Sequence, residues 1–259
     1  MTNIQYYKGA IDASGCISNG WNLVKPNYWM YFGISLLAML MIACIPCVNI
    51  ILLGPVLAGV YYTLLRAMRG EPVEFGMMFK GFEKFVPTFV VGLIQSIPGI
   101  IFEGVRYTVD IGRIASEGMQ GGDFYQADQT GVAVAGGLMI LIIVGVVFFI
   151  LLNIAWTITF MFALPLMAEH DLSPIDAIKL SAKAGWGNLG GLVLLLILQF
   201  LICILGLLLL CVGVFFVIPI VYAATAFAYR QVFPMIDGPS FQTTPPSPDV
   251  YGGSFGRGV

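Results

Sequence analysis

Four groups of residues in this chain have the types and spacing to do chemistry. Cys44 and Cys47 read Cys-Ile-Pro-Cys, the spacing of a dithiol redox pair. The sole histidine, His170, stands between Glu169 and Asp171, where a metal would want nitrogen and carboxylate ligands. Glu103 and Arg106, three residues apart in an apolar run, have the spacing of an intramembrane ion pair. Asp12 and Asp176 begin two similar half-polar stretches, IDASGCISNGW and IDAIKLSAKAGW.

None of these reaches the threshold for a reaction. The thioredoxin-like context of a redox pair is absent, and Cys47 matches Cys211 at a chain reversal, as a small packing residue would. His170 has no second nitrogen ligand to share a metal. No nucleophile, base and orienter can be assembled, and no Gly-rich phosphate loop leads into Lys-Ser or Lys-Thr. The sequence therefore points away from an enzyme and from any cofactor.

What must position these residues is a membrane-embedded helix bundle. Of 259 residues, 59% are hydrophobic and 10% charged, against about 25% charged in an ordinary soluble domain. Twelve Lys and Arg and a net charge of -2 offer no basic surface, which excludes nucleic acid as a partner. Residues 1–26 lack the apolar core and small-residue cleavage site of a signal peptide. Apolar runs of spanning length fall at 27–46, 48–68, 86–106, within 132–168, at 189–210 and at 212–232. The fourth run is 37 residues, about 55 Å as one helix, so it is either one long helix or two short ones. Charge decides for one. A single span there puts ten of the twelve basic residues on one side, leaving Arg106 and Arg113 opposite, as the positive-inside rule requires. The expected fold is all-α: six transmembrane helices with both termini cytoplasmic, forming one membrane domain over 1–235. Residues 236–259, rich in Pro, Gly and Ser, should be a disordered cytoplasmic tail, and 108–131 an acidic outer loop.

The two half-polar stretches open a parallel internal repeat. At an offset of 164 positions, Asp12 matches Asp176, Pro55 matches Pro219 and Arg66 matches Arg230. Repeat 1 covers 9–70 and repeat 2 covers 173–233, with the middle spans at 74–168. Each copy reads as an amphipathic interfacial helix followed by a transmembrane hairpin. Ser173, Pro174 and Asp176 form a capping box, which makes the aspartate a helix-terminus device; Gly9 holds the equivalent cap position in the first copy. Each Arg could in turn pair with the Asp of its own copy. The apolar positions Ile11, Ser14, Ile17, Trp21 and Val24, and Ile175, Ile178, Ala182 and Trp186, have helical spacing, as do Phe75, Met78, Phe79, Phe82 and Phe85. Gln95, Ser96, Asn153, Trp156 and Thr157 are the nearest approach to a polar seam at the bilayer midplane.

With GPVLAG at 54–59, FKGFEKF at 79–85, ALPLMAEHDLSPIDAIKLSAKAGWGNLGG at 163–191 and IPIVYAATAFAYRQVF at 218–233, the chain resembles a broad family of uncharacterised bacterial multi-pass membrane proteins. It is also similar to the membrane domain attached to some glycerophosphoryl diester phosphodiesterases, without their catalytic domain. The resemblance implies a bacterial inner-membrane protein and defines no functional residue. The expected function is non-enzymatic, through packing and through contacts with membrane lipids or a protein partner, as an accessory subunit or membrane organiser. The competing expectation is a small-solute or lipid carrier built on the duplicated hairpin.

Overall fold

The computed structural model describes residues 4–43, 46–119, 129–208 and 212–235. Cys44, Cys211, the centre of the outer loop and the tail from 236 lie outside them, and of Cys47 only the helical backbone is described. The described residues are helical, with no strand among them. The order is α1 (Ala13–Val24), α2 (Tyr28–Ala43), α3 (Pro46–Met68), α4 (Phe85–Met119), α5 (Gln129–Phe160), α6 (Ala163–Glu169), α7 (Pro174–Gly187), α8 (Leu189–Leu208) and α9 (Gly213–Val232). Two 3-10 segments join them, Lys25–Asn27 and Phe75–Lys84.

Among the described residues, five stretches are long and apolar enough to cross a membrane: Asn49–Met68, Phe75–Thr108, Ile143–Glu169, Leu189–Leu208 and Gly213–Val232. The other expected span, 27–46, is described as the 16-residue α2. At 1.5 Å per residue that is about 24 Å, short of a hydrocarbon core of about 30 Å.

The ambiguous fourth run is one long helix with a break near its end. α5 stops at Phe160, and α6 resumes at Ala163. A break inside an apolar segment frees backbone groups that must find partners. Ser181 of α7, fully buried, supplies both: its hydroxyl donates to the Thr159 carbonyl (2.7 Å), and its oxygen accepts from the Phe162 N–H (3.2 Å). Ser181→Ala should strand the two backbone groups and cost about 1–3 kcal/mol, read as a lower midpoint in thermal unfolding in detergent, while Ser173→Ala at the exposed cap should cost about 1 kcal/mol.

The amphipathic segments dock on the spans through their smallest residues. α1 buries Ala13, Cys16, Gly20 and Val24 against α9, where Gly20 meets the backbone at Ala223 and Ala224. The 75–84 segment buries Met78 and Gly81 against α3, where a methyl on Gly81 would collide with the Pro55 carbonyl and with Gly59. α7 buries Ala177, Ser181, Ala184 and Gly185, and Gly185 rests on the Ile158 carbonyl of α5. Met78 apart, large side chains of these segments, among them Trp21, Phe75, Phe79 and Trp186, stay exposed. The 75–84 segment is a 3-10 rather than an α-helix, and the three-residue repeat brings Met78 and Gly81 into one line on α3.

The long helices follow one another around a ring. α2 packs on α3, α3 on α4, α8 on α9, and α9 returns to α2, whereas α5 touches α4 and α8 only sparingly. The closed seams are close-packed. Gly54 of α3 and Gly92 of α4 bring two backbones into contact. Phe32 stacks on Phe216 across α2 and α9 (4.8 Å), and Gln199 of α8 donates to Val221 and Thr225 of α9 (3.1 and 3.0 Å). A void between α2, α3 and α9, beside Tyr31 and Pro219, holds about 10 Å³, roughly the room for one water.

Candidate functional site: an ionic hub and a lateral groove

Charged residues converge where the long spans end. Glu169, at the end of α6, has its side chain 7% exposed. Its carboxylate accepts a bidentate pair of bonds from Arg230 of α9 (2.6 and 2.8 Å), a bond from the Tyr229 hydroxyl (2.7 Å), and a bond from Arg69, which follows α3. One carboxylate thus ties together the ends of α3, α6 and α9. A charge with this little solvent is tolerable only because every oxygen lone pair faces a donor.

Arg66 bonds Glu71, not Asp12, and Arg230 bonds Glu169, not Asp176, so the expected tie between Asp and Arg within each copy does not form. The aspartates stay at helix starts. Asp176 completes the capping box: Ser173 Oγ accepts from its N–H (3.2 Å) and donates to its Oδ2 (2.7 Å). Asp12 is itself the N-cap of α1 instead of lying three residues inside it; it accepts from the Ser14 hydroxyl (2.8 Å), and its N–H donates to Gln231 of α9 (2.8 Å). Pro55 and Pro219 lie inside α3 and α9.

His170 sits beside the hub, its Nε2 3.8 Å from a Glu169 oxygen. Burial holds the imidazole below its ordinary pKa, and Arg230, Arg69 and Lys84 push the same way against the pull of Glu169.

Glu103 and Arg106 form an i, i+3 pair at 3.5 Å on α4, each more than half exposed. No second charged group in the described stretch of α4 joins them, so they leave no chemistry beyond a pair.

The second feature is a groove of about 1080 Å³ where α5 stands off from α4 and α8. It exceeds the roughly 300–1,000 Å³ of ordinary small-molecule pockets. Phe102 and Val105 of α4 form one wall, and Val193, Leu196, Ile197 and Phe200 of α8 another. α5 supplies the floor with Gly145, Val146, Phe149, Ile150 and Ile154, and its only polar side chains in the groove, Asn153 and Thr157. The Asn153 amide donates to the Phe149 carbonyl of its own helix (2.9 Å).

Two further polar atoms mark this seam. Phe102 stacks on Phe149 (5.9 Å), joining α4 to α5. Gln95 and Trp156 lie seven residues from these partners, two helical turns on and on the same faces, so they meet the seam at one level nearer α6. Gln95 Oε1 and Trp156 Nε1 are both buried without a partner among the described residues. Gln95, Ser96, Asn153, Trp156 and Thr157 are the nearest approach to a polar seam in the sequence, which allows a solute path between these two helices; of the five, Asn153 and Thr157 line the groove.

The chain matches no protein-family model, no curated protein and no solved structure. The site combines an ionic clamp with every carboxylate oxygen spent and an apolar groove that is open.

Proposed function

We propose that the protein is a non-enzymatic integral membrane protein that works by holding a membrane lipid in the groove between α4, α5 and α8. The observation that carries this reading is the groove itself, about 1080 Å³ of apolar space on spanning helices. Space open to hydrocarbon fills with hydrocarbon, and phenylalanine and branched aliphatic walls favour a flexible chain over a polar solute.

The topology behind this reading has six spans with both termini cytoplasmic. α2 with Lys25–Asn27 before it supplies the sixth span. The docking pattern supports a parallel repeat, and it extends the two copies to three units of amphipathic segment plus hairpin. The segment of each unit packs on the second helix of the unit before it: 75–84 on α3, α7 on α5, and α1 on α9 to close the ring. In this scheme the hub sits where the second helices of all three units end. The likeness of the sequence to bacterial multi-pass proteins is what supports an inner-membrane location.

Gly145 gives a clean test, because a side chain there meets nothing within 4 Å and would project into open groove. Native mass spectrometry of gently extracted protein should find lipid bound to the wild type. Gly145→Trp should unfold at the same temperature and carry at most a tenth as much. Equal lipid on both proteins, or a bare wild type, would overturn the reading.

A further inference from the structure

We propose that the groove selects an anionic phospholipid of the cytoplasmic leaflet, with the phosphate held by Lys179 and Lys183 of α7 and by Lys8. This rests on the lipid-binding reading above and adds the identity of the headgroup.

α7 touches α4, α5 and α8, the three helices that wall the groove. Its outward stripe is Ile175, Lys179, Lys183 and Trp186, all exposed. The Lys8 side chain lies against Gly187 at the end of the same helix. Among the described residues none of these three lysines enters an ion pair. The one acid of α7, Asp176, is at the opposite end and bonded to Ser173. The hub's arginines, by contrast, are all matched to carboxylates.

The lysines sit at the groove's mouth. Trp186 donates to Thr159 (3.2 Å), two residues from Thr157, where the groove's floor begins. α8 starts at Leu189 and reaches the groove by Val193. From there to Phe200 the wall runs from about 6 to about 16 Å along the helix, the depth of one leaflet of a core about 30 Å thick. Acyl chains of that leaflet would lie along the wall while their phosphate emerges beneath Lys183 and Trp186. Each interfacial lysine adds roughly a fivefold preference for negative charge.

The test uses the full chain in nanodiscs of equal phosphatidylcholine and phosphatidylglycerol, with the lipid retained after mild extraction counted by native mass spectrometry. The wild type should retain phosphatidylglycerol over phosphatidylcholine by about tenfold or more. Lys8→Gln with Lys179→Gln and Lys183→Gln should retain as many lipids at a ratio near one. Gly145→Trp, with every lysine in place, should lose the enriched lipid, which separates the groove from general attraction to a charged surface. Lipid retained by the wild type without headgroup preference, or a preference untouched by the lysine variant, overturns this inference alone. A wild type that retains no lipid overturns the groove reading with it.

Discussion

Glu169→Ala should destabilise the domain by about 3–5 kcal/mol, the cost of leaving a buried charge without its partner. Arg230 has 9% of its side chain exposed and directs both terminal nitrogens at this one carboxylate. The Tyr229 hydroxyl loses its acceptor in the same step. Glu169→Ala combined with Arg230→Met should regain most of the loss, because hydrophobic residues often replace a buried pair at little cost. Exposed pairs give the contrast: Glu83→Ala, which breaks a surface contact with Lys80, should shift the midpoint by 1 kcal/mol or less. Chemical unfolding in mixed micelles, followed by tryptophan fluorescence, would rank the four proteins.

Gly81→Ala or Gly59→Ala should cost about 3 kcal/mol or more. The added methyl is driven into backbone in each case, the Pro55 carbonyl for Gly81 and the Met78 carbonyl for Gly59, and backbone cannot swing aside as a side chain can. Gly76, in the same 3-10 segment, faces open space, and Gly76→Ala should leave the midpoint within about 0.5 kcal/mol. The difference between Gly76 and Gly81 in the same assay isolates the docking contact from any effect of glycine on the unfolded chain.

How far the sequence carries can be judged from these residues. Length and apolarity suffice for five of the six expected spans, because a bilayer leaves the backbone little choice but helix. The capping box at Ser173 and Asp176 is equally legible, being a local device. The docking faces are not. On α1 the spacing singles out Ile11, Ser14, Ile17, Trp21 and Val24, yet the packed face is Ala13, Cys16, Gly20 and Val24. In lipid a large apolar side chain gains little by leaving the acyl chains, so close approach of small residues decides the contact. A search for Gly, Ala, Ser and Cys at helical spacing would have found Cys16 with Gly20, and Ala177 with Ser181, Ala184 and Gly185.

The hub was hidden for a different reason. Arg66 and Arg230 stand out as a repeated pair, but the acid that gathers the chain ends is Glu169, 61 positions from Arg230 and 100 from Arg69. No periodicity links such distances. The groove is hidden by near-uniformity: on α5 Asn153, Trp156 and Thr157 break the apolar surface, and they mark a seam near one end of the helix without showing how far α5 stands off from α4 and α8.

We propose that the helix ring is closed around α2, α3 and α9 and opens to lipid at α4, α5 and α8. A phospholipid carrying a photoreactive diazirine midway along one chain tests it directly, with the labelled residues located by peptide mass spectrometry. Label should concentrate on groove residues such as Val146, Ile150 and Ile197, and fall away in Gly145→Trp. Label spread evenly over the lipid-facing residues of every span, unchanged by the tryptophan, would contradict it.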